Sequence, residues 1–503
     1  MSGQIVQAGS DRVDGFGSFK QHCIPYFPRT NLTPLTFGKK KILVRMTRQV
    51  YGGYMALSQN TFQNIQKLVV LGLPIVGSNL AMMLIGVTDI VMVGWHSVEE
   101  LAALILATTL FFNIFILGSG VAFAVMPVVS TAAAVRDDTT VRRITRMALW
   151  LSVIYGIFAL PIFYMSEAIF LGLGQQPELA HHASDYMWIL APAIIPSLWA
   201  NVMRSYLAAM EFTKVIMLIT CGVAILNVGF NHILIFGSYG FPELGIKGAA
   251  IASLLVNILM AIITSIYAVY ILPEHEIFAR FHRPDWSALI KVFKLGAPIG
   301  LSILAETGLF SAASVMMGWI GVITLAAHGI ALKLASLTFM AHLGLSHAVT
   351  IRMGNAAGRK DRVAMVEVTK AGTIISACWS LLTIILFVGF GAQLISLFLD
   401  ENEVARDSII AYGIMLLWIA ALFQLVDGGQ VLAIGLLRGL QDTAIPMVIT
   451  VIGYWGVGVP IAYFLGFYTP LAGSGIWLGV GAGLSFAAIG LSVRFRRYLV
   501  NYE

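Results

Sequence analysis

The chain has 503 residues, of which 58% are hydrophobic and only 11% charged, and its mean hydropathy is +0.85. A water-soluble domain carries about 25% charged residues to solvate its surface, so this composition excludes a soluble globular protein. The net charge of +6 does not point to nucleic acid, because the basic residues sit in short blocks between apolar runs, where they orient a chain in a membrane.

In chain order, residues 1–60 come first and read as a disordered cytoplasmic tail with a basic, lipid-facing end. They are polar, contain Pro25, Pro28 and Pro34, and end in Lys39, Lys40, Lys41, Arg45 and Arg48. No secretory apolar segment occurs there, and Met46 and Met55 are alternative starts to Met1. Twelve apolar runs follow, near 68–95, 101–130, 146–165, 186–203, 214–236, 247–271, 292–319, 325–350, 370–390, 408–435, 446–466 and 474–495. Each approaches the roughly 20 residues needed to cross hydrocarbon as a helix. The predicted fold is an all-α integral membrane protein of about 12 transmembrane helices in two parallel six-helix repeats. It comprises a first lobe over 65–272, a cytoplasmic linker over 273–291, a second lobe over 292–496 and a short cytoplasmic tail over 497–503. Cys221 and Cys378 lie inside apolar runs and read as packing residues. With Cys23 in the tail, they have no metal or redox spacing.

The connecting loops alternate in charge. One set holds Arg136, Arg142 and Arg143, then Arg204 and Lys214, Arg280 and Arg283, Arg359 and Lys360, Arg438, and Arg494, Arg496 and Arg497. The other holds Glu99 and Glu100, Glu178, Glu243, Asp400 and Glu401. Positive residues stay inside, so the first set is predicted to be cytoplasmic, with both termini.

Leu71-Gly72-Leu73-Pro74-Ile75 recurs as Leu295-Gly296-Ala297-Pro298-Ile299, a shift of 224 residues. The same shift carries Gly94-Trp95 onto Gly318-Trp319, Leu101-Ala102-Ala103 onto Leu325-Ala326-Ala327, and Asp137 onto Asp361. A duplication accounts for this agreement. Six helices per repeat make the repeats parallel, an architecture that suits rocking of two lobes about a central cavity.

Ionisable residues inside a membrane are costly and therefore demand a reason. Glu306 lies in the seventh run, Asp427 in the tenth and Asp89 in the first. Across the repeat Asp89 corresponds to Ala313 and Glu306 to Met82, so the acids are not part of the duplicated scaffold. They are the candidates for binding a coupling ion or a cationic substrate. Lys333, in the eighth run, either pairs with one of these acids or snorkels outward. Asn227 and Asn231 share one face of the fifth helix, where they offer oxygen ligands beside Asp89 or an interhelical hydrogen-bonding pair.

From about Leu68 to Arg494 the chain resembles the multidrug and toxic compound extrusion (MATE) transporters of the bacterial NorM-like branch. The resemblance rests on Val87-Thr88-Asp89 through Gly94, Met126-Pro127-Val128-Val129, Ala326-Ala327-His328-Gly329-Ile330-Ala331-Leu332, Asp427-Gly428-Gly429-Gln430-Val431 and Arg438-Gly439-Leu440-Gln441-Asp442-Thr443. It implies a monomeric antiporter of the bacterial inner membrane, surrounded by lipid, that exports cationic drugs in exchange for Na⁺ or H⁺ without a cofactor. Asp89 with Asn227 and Asn231 would form a first-lobe site. Glu306 and Asp427 would form a second-lobe site, and would hold the metal ion if coupling is to Na⁺. Phe423 stands where some members carry a tyrosine, and Lys333 where many carry a neutral polar residue. The alternatives are a flippase for a lipid-linked or amphiphilic substrate and a passive channel. No H-E-x-x-H, paired-Asp or phosphate-loop motif supports an enzyme.

Overall fold

The computed structural model describes residues 37–401 and 405–501, with side chains from residue 61 onward. Of the tail expected to be disordered, 1–36 lie outside the described residues, and over 37–60 the backbone is helical. The twelve spans belong to one compact unit, Ser58–Glu503. The described residues contain twelve helices long and apolar enough to span a membrane: α1 (Thr61–His96), α2 (Val98–Ala134), α3 (Asp138–Tyr164), α4 (Pro177–Ala209), α5 (Thr213–Phe236), α6 (Ile246–Ile271), α7 (Trp286–Ile320), α8 (Val322–Gly358), α9 (Arg362–Ser396), α10 (Arg406–Gly439), α11 (Ala444–Phe467) and α12 (Ala472–Val500). No strand occurs among them. Helices satisfy every backbone group internally, which hydrocarbon requires. Large apolar side chains such as Ile225 (72% exposed) and Ile266 (65%) point outward, as befits an apolar solvent. Cys221 and Cys378, expected to pack inside, are exposed instead.

Several helices run past the apolar stretches that predict them. Arg204 and Arg438, expected in loops, lie inside α4 and α10. Residues 286–291, expected in the linker, already belong to α7. The ends are set by local chemistry. Asp137 and Asp361 cap α3 and α9, accepting from the backbone amides of Thr140 (3.0 Å) and Ala364 (2.9 Å). Each follows a residue of left-handed conformation, Arg136 (φ 58) and Lys360 (φ 54). The same device ends α4 and α10 at Glu211 (φ 67) and Gln441 (φ 60), now at a shift of 230 residues. The duplication is thus written in the turns as well as in the sequence.

The cores define how the halves meet. One cluster draws on both halves and occupies the end that bears the basic loops: Leu71, Val125, Met147 and Leu207 join Val292, Leu345, Val349 and Leu437. At the acidic end there are two separate clusters. One, around Val93, Leu104 and Phe163, belongs to α1–α6; the other, around Met317, Leu417 and Trp477, to α7–α12. The halves share a core at the basic end and keep separate cores toward the acidic end.

Glycine makes the joint close. A Cβ at Gly296 of α7 would stand 2.8 Å from the Val121 Cα of α2, and one at Gly72 of α1 would touch the Ala348 Cβ of α8 at 3.5 Å. Gly72 and Gly296 are repeat equivalents, so the contacts α1–α8 and α2–α7 are related by the duplication. At the rim, Glu211 accepts from Arg352 Nη1 (3.1 Å) and Asn355 Nδ2 (3.3 Å). The equivalent Gln441 donates to Thr131 Oγ1 (3.4 Å), the equivalent of Asn355.

Candidate functional site

Asp89, on α1, is buried at 7% exposure and surrounded by neutral donors. Its Oδ1 accepts from Asn231 Nδ2 (2.6 Å) and Asn227 Nδ2 (3.1 Å) of α5, and its Oδ2 accepts from Ser253 Oγ (2.8 Å) of α6. The two asparagines are buried as well, and the i, i+4 spacing puts both on the face toward Asp89. Tyr186 of α4, 1% exposed, closes the pocket beside Ser253. Asn231 Oδ1 is buried without a hydrogen-bond partner. A carboxylate and a spare amide oxygen, with no cation adjacent among the described residues, make a site able to take a proton or a monovalent cation.

The second site lies wholly in the other half. Glu306 of α7 and Asp427 of α10 are half-buried and within electrostatic range of each other. Gln430, one turn beyond Asp427, lies beside Glu306 and donates to the Tyr454 hydroxyl (2.6 Å). Tyr454 stands in a π-helical stretch of α11, Ile452–Gly458; such stretches re-aim side chains and recur at functional sites. Within it, Trp455 Nε1 donates to the carbonyl oxygen of Ala305 (3.1 Å) and its ring packs on Gly308, bracketing Glu306. Phe423 stacks on Trp477 and packs against Gly481, so the aromatic hydroxyl at this site comes from Tyr454.

Two further cations lie within the helices. Arg204 donates to Ser78 Oγ (3.0 Å), and its Nε has no partner. Arg438 is within electrostatic range of Glu306. Both are within range of His347, whose ring meets Phe123 of the other half at 5.2 Å between centroids. Lys333 is exposed and forms no ion pair with Glu306 or Asp427 among the described residues. Asp89 and its asparagines thus come together, as do Glu306 and Asp427, while Lys333 stands apart. Ser253, Tyr186, Gln430, Tyr454, Arg204 and Arg438 join the sites from positions the sequence reading did not single out. Among the described residues no group of three or more His, Cys, Asp or Glu forms.

The MatE family profile matches the chain twice, over residues 74–233 and 298–464, starting points again 224 residues apart. A "Probable multidrug resistance protein NorM" of Rhizobium meliloti (strain 1021) is 44% identical over 432 residues, 85% of this chain and 92% of that protein. One of the same name from Agrobacterium fabrum is 40% identical over 440 residues, 87% of this chain and 95% of the relative. Among solved structures, "Crystal structure of MATE in the bent conformation" superposes with a TM-score of 0.79 at 20% identity, covering 88% of this chain and 97% of the other. "Outward-facing conformation of a multidrug resistance MATE family transporter of the MOP superfamily" gives 0.77 at 21%, covering 88% and 97%. Two matched repeats, each carrying its own half of the twelve-helix frame, establish that the chain belongs to the MatE family of membrane transporters.

Proposed function

We propose that the chain is a multidrug exporter of the bacterial inner membrane, exchanging cationic amphiphiles for Na⁺ or H⁺ by alternating access of its two lobes. The observation that carries this reading is the contrast between frame and chemistry. The joint between the halves obeys the repeat, whereas Asp89 lies in one half only and Glu306 with Asp427 in the other. A two-fold frame joined at one end can rock. Carboxylates set within its lobes offer the ion a place to bind, and exchange follows when ion and cargo favour opposite states, without which a gradient drives nothing. The positive-inside rule supports a cytoplasmic basic end and cytoplasmic termini, and in this reading the end where the cores are separate faces outward.

Glu306→Gln or Asp427→Asn should abolish ion-driven ethidium efflux from cells while the protein remains monodisperse in detergent. Efflux at the unmutated rate in both variants would refute the site assignment. Arg204 and Arg438 lend support to the second reading, a flippase for an amphiphile with an anionic headgroup. A flippase would move its substrate between leaflets without accumulating it in the vesicle lumen, and an accumulation assay separates the two.

A further inference from the structure

The joint fixes which faces of α2 and α8 look at each other. Ser130 meets Gly354 and Phe123 meets His347; each pair is related by the shift of 224, and the pairs lie seven residues apart. Seven residues are nearly two helical turns, so one stripe along each helix faces the other half. Following the α8 stripe away from the joint leads from His347 through Met340 to Lys333. Fourteen residues turn a helix about 40° short of four full turns, so Lys333 remains on the facing side. At its level the halves have separate cores, and its side chain is exposed. Its repeat equivalent on α2, Thr109, is also exposed.

From Val322, the first residue of α8, Lys333 is about 16 Å along the helix axis. Its exposed ammonium thus lies well inside the span and on the side that faces the other half, where a charge needs water or a charged partner. No described carboxylate pairs with it. Asp89 is sealed under three donors, and Glu306 and Asp427 are set among α7, α10 and α11 with Arg438 near. The acids lie within the lobes, and the charge presented on the facing stripe is positive.

We propose that Lys333 is a specificity-determining residue, its ammonium pairing with the carboxylate of those cargoes that carry one and so favouring their export over cargoes that lack it. The carboxylate pairs with the Lys333 ammonium between the halves, and the apolar body lies along α2 and α8. This rests on the export reading above.

The test uses the full chain in liposomes and two dyes that differ only at one group: rhodamine 123, a cationic methyl ester, and rhodamine 110, its free-acid counterpart. The unaltered protein should export both. Lys333→Gln should lower kcat/KM for rhodamine 110 about tenfold, the scale of one charge-assisted hydrogen bond, and leave rhodamine 123 within about twofold. Lys333→Arg should restore rhodamine 110 export. Retained export of the ester shows that the variant is folded. Export of the ester alone by the unaltered protein, or equal loss of both dyes in Lys333→Gln, overturns the role of Lys333 and leaves the export reading standing. Export of neither dye by the unaltered protein sinks both.

Discussion

At the scale of single residues, the first site is a satisfied carboxylate. Asp89 has three donors, and removing one strands an acceptor in a dry interior. Ser253→Ala should therefore cost about 1–3 kcal/mol, seen as a lower melting midpoint in detergent; an unchanged midpoint would mean that Ser253 does not hold Asp89. Outside the membrane, Asp285 caps α7, accepting from the amide of Ala288 (3.1 Å), and is ion-paired with Arg143. The Arg143 hydrogen bond holds its carboxyl well below the usual carboxylate range. A depressed carboxyl stabilises the fold above its unfolded value near 4 and loses that contribution as pH falls toward its folded value. The melting difference between the unaltered protein and Asp285→Asn should be constant from pH 5 to 8 and shrink below about pH 4; a constant difference down to pH 3 would contradict the pairing. The three acids were legible in the sequence because charge inside an apolar run is rare. Ser253, Gln430 and Tyr454 were not, since neutral polar residues are common in such helices and only tertiary placement brings them to a carboxylate.

At the scale of elements, the sequence marks where hydrocarbon begins and ends, not where helices do. The apolar runs stop near 203 and 435, yet α4 and α10 continue to Ala209 and Gly439, up to the turns that Glu211 and Gln441 form. That difference moved Arg204 and Arg438 from loops into the body of the protein. The π-helical stretch over Ile452–Gly458 has no sequence signal beyond its glycines, and it is what aims Tyr454 at the second site. The α2–α7 contact is where packing decides most. A methyl group at Gly296 would meet α2 backbone, which cannot yield as a side chain can. Gly296→Ala should destabilise by about 1–3 kcal/mol, read from thermal melts. The Glu211–Arg352 pair is half exposed and worth at most about 1 kcal/mol, so Arg352→Gln should shift the melt far less. The reverse order would mean that charge, not close packing, holds the halves.

At the scale of the whole molecule, the duplication read at one fixed shift reappears in the caps, in the left-handed turns and in the contacts between α1 and α8 and between α2 and α7. What sequence alone did not reveal is that the halves share a core at one end and keep separate cores at the other, because that depends on which apolar residues of distant helices meet. On the proposed export reading, a two-fold frame with unequal acids, joined at its basic end, trades an ion gradient for uphill movement of cargo. The direct measurement is accumulation of ethidium in everted vesicles or liposomes, with Na⁺ and H⁺ gradients imposed separately. The account predicts accumulation above the equilibrium level under one of the two gradients, abolished by Glu306→Gln. Equilibration to the same level with either gradient or with none would contradict it.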